Sequence, residues 1–248
     1  MASDSQRIAE LIKSAVEKSV SGLKKATVAF SGGVDSAIVA KIASEKAKID
    51  CLAVGVEGKF EQAEKAAELL GLPLRKIRFK ATLPTVRTVQ RIIKTADTFQ
   101  TGIALPFYFL CKGARTREIL TGQGADELFL GYRRYYACSS TEARRMQKED
   151  IEEMWEKNGK RDSLVAASQG KVLINPFLDE RLVKEALKIP IGRKLADPEN
   201  RKIVLRRVAE ELGIPREIAY APKKAIQYSS GAAREVEKLL KRLKRRGG

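Results

Sequence analysis

Four short apolar runs, each set against stretches of helical spacing, limit the fold of this chain more than any other feature. Residues 26–30 (Ala-Thr-Val-Ala-Phe), 50–56, 74–79 and 118–121 read as strands, the first two as buried ones. Residues 35–47, 60–70, 82–94 and 104–115 return to apolar steps of three and four. An amphipathic helix over residues 5–20 comes first, with Ile8, Leu11, Ile12, Val16 and Val20 on one face. Gly71 and Pro73 stop the helix that ends at Leu70. Strand and helix alternating over short links predict an α/β fold, a parallel sheet flanked by helices. After about residue 130 the strand signals stop. Helices are expected over 140–157, 161–168, 179–187, 199–212 and 231–246, punctuated by Pro176, Pro190, Pro198, Pro215 and Pro222. The chain therefore reads as one unit with an α/β part over about 1–132 and a helical part over about 133–248.

Composition removes several classes of chemistry. The 248 residues contain no histidine, which excludes histidine metal sites, Ser-His or Cys-His nucleophiles and histidine acid-base work. Cys51, Cys111 and Cys138 are widely spaced, so neither a disulfide framework nor a zinc site is expected. The apolar run at 104–110 is far shorter than the roughly 20 residues of a membrane span. The first residues have neither a basic nor an apolar targeting region, and a cytoplasmic protein is expected. Lys and Arg outnumber Asp and Glu by 48 to 31, a net charge of +17. That charge suits either a nucleic acid or a small polyanionic ligand on a protein with a solvated basic surface. The basic amphipathic stretch over 234–246 leaves the same two readings open.

The run Phe30-Ser31-Gly32-Gly33-Val34-Asp35-Ser36 lies between the first strand and the next helix. In a parallel sheet that is the carboxyl end of a strand, where ligands bind. Gly32 and Gly33 let the backbone approach a ligand closely, and the amides opening the helix suit a phosphate. Ser31 and Ser36 add hydroxyl donors. Asp35 would repel a phosphate unless a cation lay between them, for which Mg²⁺ is the natural bridge. The pattern is neither a Walker A loop nor GxGxxG.

A second strand-to-helix turn, Thr121-Gly122-Gln123-Gly124-Ala125-Asp126-Glu127, carries two acids. They could simply favour the start of a helix. If the first and fourth strands are neighbours, Asp126 instead faces Asp35 across a crevice, and the two carboxylates share Mg²⁺.

These residues resemble known families. The loop over residues 31–36 resembles the signature of the PP-loop ATP pyrophosphatases, which cleave ATP between its α and β phosphates. Residues 122–132 resemble the GEGADELFGGY segment of the asparagine synthetase synthetase domain. Asn175-Pro176-Phe177-Leu178-Asp179 is similar to its PFLD segment, and Pro222-Lys223-Lys224 to its late RPKK-type segment. The motifs come in the family's order over about residues 25–231. The resemblance implies an adenine-nucleotide α-hydrolase-like fold and an ATP- and Mg²⁺-dependent, AMP-forming ligase. It implies that Ser31, Gly32, Gly33, Asp35 and Ser36 bind pyrophosphate and that Asp35 and Asp126 hold Mg²⁺. Backbone around Ala29, Val54, Thr121 and Gly122 would contact adenosine, and Lys223 would stabilise charge on the α-phosphate. The substrates implied are a carboxylate, aspartate by resemblance, and ammonia or an amine. A homodimer is a further expectation.

Departures from the family pattern fall on the acceptor side. The family's GEG glutamate is Gln123, which can hydrogen-bond but cannot act as a base. The Glu and Arg of the LExRxPFLD pattern are Val172 and Ile174, and the arginine before PKK is Ala221. Ala2 stands where glutamine-dependent members carry a cysteine, so the nitrogen would come from free ammonia, a separate glutaminase subunit or another nucleophile. A PP-loop enzyme that adenylates a tRNA base is the alternative. Cys111 and Cys138 flank the second motif as that chemistry might require, though apolar helical surroundings favour core cysteines.

Overall fold

The computed structural model describes residues 4–56, 60–222 and 236–239. Its centre is a parallel sheet of five strands: β1 (Lys25–Ala29), β2 (Lys48–Gly55), β3 (Leu74–Arg78), β4 (Glu118–Leu120) and β5 (Val172–Ile174). They lie in the order β3-β2-β1-β4-β5. The first four coincide with the expected strands to within two residues at each end. In β1, Ala26 and Val28 face one layer of helices while Ala29 faces the other, as the period of two along a strand requires.

The fifth strand corrects the expectation that strands end near residue 130. Val172-Leu173-Ile174 is too short for its β-branched ends to show a pattern. It becomes a strand because β4 presents a free parallel edge, pairing Glu118 with Val172 and Leu120 with Ile174. The helical half thus contributes to the sheet itself.

Helices cover both faces. On one lie α1 (Asp4–Ser19), α2 (Val34–Ser44) and α3 (Glu61–Leu70); on the other lie α4 (Leu83–Ile93) and α5 (Thr98–Gly113). Gly71 ends α3 in the left-handed region, at φ +63°, as its position after the helix suggested. Thr82 caps α4 and Asp97 caps α5. The Asp97 cap moves the start of α5 six residues ahead of the expected position, to Thr98. Past β4 come the one-turn α6 (Ala125–Leu128), then α7 (Ser140–Glu153) and α8 (Gly159–Ser168), joined through a π-helical turn. α9 (Glu180–Lys188) joins the first layer, and α8 joins the second. α10 (Ile191–Lys194), α11 (Ile203–Glu211) and α12 (Arg216–Ala219) complete the described order. The helix expected over 231–246 lies largely outside the described residues. Among the described residues no helix is long and apolar enough to cross a membrane.

The expected helix over 199–212 starts only at Ile203. Asp197 folds the chain beforehand, accepting from Asn200 N at 2.9 Å and from its Nδ2 at 3.0 Å. Lys202, just ahead of α11, takes φ +64°. A lysine in the left-handed region is uncommon, and its side chain is buried.

A second buried lysine supports the turn after β4. Lys194 is fully buried, with Nζ 3.3 Å from Gln147 Oε1. Gln147 Nε2 in turn donates to the carbonyls of Glu127 (3.0 Å) and Leu128 (2.8 Å). Burial, with the charge of Arg144 adding, pushes the Lys194 ammonium down to about 7. An unfolded lysine near 10.4 binds its proton more readily, so stability from this group rises with pH between about 7 and 10. Lys194→Met is therefore expected to raise the melting temperature by a few degrees at pH 6–7. Thermal melts should show the gain shrinking toward pH 10; an equal gain at every pH would contradict a depressed lysine.

Candidate nucleotide site at the β1–β4 crevice

The chain leaves β1 towards β2 and β3, then returns to place β4 on the opposite side of β1. The pairing of Thr27 with Ile119 and Val28 with Leu120 makes the two strands parallel neighbours. The segments following them depart in different directions, which opens a crevice at the carboxyl edge of the sheet. Both glycine turns read from the sequence meet there.

The first turn is held by its own hydroxyls. Ser31 Oγ accepts from Gly33 N at 3.3 Å, and Ser36 Oγ donates to Gly33 O at 3.1 Å. The two hydroxyl oxygens are 3.3 Å apart. Gly32 sits at φ +77°, and a Cβ there would lie 2.4 Å from the carbonyl oxygen of Gln62. Only glycine fits. In the second turn, a Cβ on Gly122 would come within 2.8 Å of Asp35 Cβ. The absence of side chains at these positions lets the two turns lie against each other.

Asp35 and Asp126 are brought together as expected, but a cation from this chain lies between them. Lys202 Nζ is 2.6 Å from Asp35 Oδ2 and 2.7 Å from Asp126 Oδ1. Burial alone would push this lysine down; the charges of Asp126 and Asp35 outweigh it and hold the ammonium above its ordinary value. Lys202 was not legible as a site residue. It is one basic residue among 48, and its role depends on the left-handed backbone that carries it into the crevice.

Glu127 faces elsewhere. Its Oε1 accepts from Tyr132 Oη at 2.5 Å, and burial, aided by Asp126, pushes its carboxyl up. Among the described residues no group of three or more His, Cys, Asp or Glu side chains stands ready for a metal ion.

The remaining expected residues occupy the rim. Ala29 and Val54 lie at the carboxyl ends of β1 and β2, half-buried against the second core layer. Thr121 Oγ1 donates to Asn175 Oδ1 at 2.6 Å and accepts from Gln123 N at 3.1 Å. This joins the second turn to the Asn-Pro-Phe-Leu-Asp segment. Gln123 Nε2 donates to Asp162 Oδ2 at 2.6 Å. Lys223 lies outside the described residues. The chain just before it is held near the first turn, since Gln62 Nε2 is 3.4 Å from Gly32 O and 3.5 Å from Pro222 O. Arg206 fixes that approach by donating to the carbonyls of Ala219 (2.5 Å) and Ala221 (3.4 Å).

The family model described as asparagine synthase matches residues 7–173 and 139–247. The chain belongs to the asparagine synthase family. A Methanocaldococcus jannaschii protein bearing the name of a glutamine-hydrolyzing asparagine synthetase is 33% identical over 273 residues, covering 93% of this chain and 50% of that protein. The Gallus gallus glutamine-hydrolyzing asparagine synthetase is 26% identical over 241 residues, covering 90% of this chain and 42% of its own length. The chain thus spans about half the length of these relatives. The solved NMN synthetase from Francisella tularensis is 13% identical, with a TM-score of 0.39 over 96% of this chain and 92% of that one.

In this asparagine synthase-family chain the departures cluster structurally. Val172 and Ile174 lie in β5 beside Asn175, and Gln123 follows the turn that Thr121 ties to Asn175.

Gly32 offers a direct test of the crevice. Gly22 shares its positive φ, at +74°, but a Cβ there would meet nothing within 4 Å. Gly22→Ala should cost about 1 kcal/mol, the backbone strain alone. Gly32→Ala should cost clearly more in chemical denaturation and should weaken ATP binding. Equal costs would mean that the close approach to Gln62 is not required.

Proposed function

We propose that this chain is an ATP-dependent ligase that forms AMP and pyrophosphate while joining a nitrogen nucleophile to a carboxylate. The observation that carries this reading is the placement of Asp35 and Asp126 on one buried cation, beside the Ser31–Ser36 turn, where β1 and β4 part. Ser31, Gly32, Gly33 and Ser36 offer hydroxyls and closely approachable backbone to the β and γ phosphates. Ala29, Val54, Thr121 and Gly122 edge the space for adenosine.

Two carboxylates that already share one cation also fit a divalent ion, with phosphate oxygens as further ligands. Asp35 and Asp126 would hold Mg²⁺, whose chemistry is to neutralise the triphosphate. Lys202 supplies a fixed positive charge at the same place. In the first step a carboxylate oxygen bonds to the α-phosphorus and the bond to the β-phosphate oxygen breaks. Pyrophosphate leaves along the serine-glycine turn. In the second step nitrogen bonds to the acyl carbon, the carbon–oxygen bond to AMP breaks, and one nitrogen proton leaves with the phosphate or water. Lys223, by family likeness, would stabilise charge at the α-phosphate. The chain's task is positioning and electrostatic stabilisation.

Aspartate with ammonia is the first substrate pair to test, the ammonia free or passed from a glutaminase. The tRNA-modifying alternative keeps support from the net charge of +17. The cysteines count against its sulfur-transferring form: burial pushes the Cys51 and Cys111 thiols up to about 12, far from reactive thiolates. Cys138 is half-buried after the turn Arg133–Ala137, outside the helical setting expected for it.

Pyrophosphate and AMP release from Mg-ATP, with ammonium and a panel of carboxylates, tests the reading. Asp35→Asn and Asp126→Asn should each lower release by at least 10²-fold. The fold should survive, because Lys202 keeps the other carboxylate. Lys223→Ala should lower turnover by about 10²–10³-fold with ATP affinity nearly intact. Full turnover in either Asp variant would remove these carboxylates from the mechanism, and release only with tRNA would favour the alternative.

A further inference from the structure

The reading above leaves unanswered how a chain without the family's GEG glutamate handles its nitrogen nucleophile. The surroundings of Gln123 give an answer that deepens that reading and rests on it. Gln123 Nε2 donates to Asp162 Oδ2 at 2.6 Å. Asp162 is 1% exposed and is gripped by its neighbour in α8: Arg161 Nε donates to Oδ1 at 2.8 Å, and Nη2 to Oδ2 at 3.1 Å. Arg161 is itself oriented, since Nη1 donates to Gln100 Oε1 of α5 at 2.8 Å and to Asn158 Oδ1 at 3.0 Å. A carboxylate only accepts hydrogen bonds. It therefore fixes which way round the Gln123 amide stands, with nitrogen towards α8 and oxygen away from it. That oxygen, Oε1, is buried and has no hydrogen-bond partner among the described residues. An unpaired buried acceptor is costly to fold around. This one belongs to the residue next to Gly122, which lies against Asp35.

We propose that Asp162, clamped by Arg161, is a positioning residue that presents Gln123 Oε1 to an N–H of the incoming nitrogen nucleophile. The site takes a nitrogen compound with at least one N–H, ammonia being the smallest. A neutral acceptor oriented by a buried carboxylate stands where the family pattern has a glutamate. Gln123 takes no proton. It holds the nitrogen while its lone pair meets the acyl carbon, and the proton leaves as in the second step above.

The test separates the two half-reactions in the full chain. Adenylate formation is read by acceptor-dependent exchange of pyrophosphate into ATP, and nitrogen use by the KM for ammonium. Asp162→Asn introduces a side chain that can donate as well as accept, so the Gln123 amide is no longer held one way round. The KM for ammonium should rise about 10–100-fold, with the loss falling on that constant rather than on exchange. Gln123→Glu alone brings two carboxylates together in a buried place and should be the worst variant. Gln123→Glu combined with Asp162→Asn restores a donor–acceptor pair and should recover ammonium use to within several-fold of the original. An unchanged KM for ammonium in Asp162→Asn would overturn the proposal. So would exchange and ammonium use falling together without rescue in the double variant, the pattern of a purely structural residue. If the unaltered chain gave no exchange with any carboxylate, the ligase reading itself would fall. The clamp would then be judged by the Gln123 side-chain amide in ¹H–¹⁵N spectra, identified by its loss in Gln123→Glu. Slow hydrogen exchange that becomes fast in Asp162→Asn supports the clamp, and no difference overturns it.

Discussion

The crevice depends on one electrostatic arrangement: two carboxylates from different halves of the sheet held on the ammonium of Lys202. Asp35 follows β1 and Asp126 follows β4, nearly a hundred residues later in the chain. Two like charges this close, on a half-buried edge, repel one another unless a cation lies between them. Lys202 supplies it in the protein alone. Removing one partner from such a cluster leaves an uncompensated charge, which is why a buried ion group constrains a fold more than it stabilises it. The lysine thereby ties the helical half to the edge of the sheet, through the chain just ahead of α11.

The same arrangement suits a site for a highly charged substrate. A triphosphate approaching Asp35 and Asp126 would meet net repulsion from bare carboxylates. With the lysine in place, a positive charge that cannot drift away is already present. The serine-glycine turn beside it offers hydroxyls and backbone, and Gly32 and Gly122 remove the side chains that would keep the two turns apart. The family match and this geometry agree in placing nucleotide chemistry at the crevice, and the two rest on independent grounds: aligned sequence in one case, sheet order and distances in the other.

Much of this was legible in the sequence because it depends on short-range rules. Strands of five to eight residues between amphipathic helices declare themselves by period, and a glycine turn after a strand declares the ligand edge. Asp35 and Asp126 could be paired on the condition that β1 and β4 be neighbours, and they are. What escaped were features set by tertiary structure. β5 has only three residues and exists because β4 has an unfilled edge. Lys202 sits in a run that reads as a continuing helix until its backbone turns left-handed. Asp162 and Arg161 look like a surface pair on a basic helix, and only packing against α5 shows them to be buried. Long-range ion pairs carry no periodicity, so nothing in the local pattern points to them.

The departures from the family pattern then acquire a physical reading. In β5, Val172 and Ile174 replace the charged residues of the family motif, and a parallel edge strand tolerates them well, since apolar β-branched side chains suit a strand. A carboxylate at Gln123 would stand within hydrogen-bonding distance of Asp162, and burial of two such charges without a cation is costly. The glutamine and the buried aspartate are therefore linked choices: keeping Asp162 on Arg161 requires a donor at position 123. The nucleotide side of the crevice retains its acids while the acceptor side exchanges charge for a neutral, oriented amide. On physical grounds, the two sides can change separately because they are held by separate contacts, Lys202 on one and the Arg161–Asp162 pair on the other.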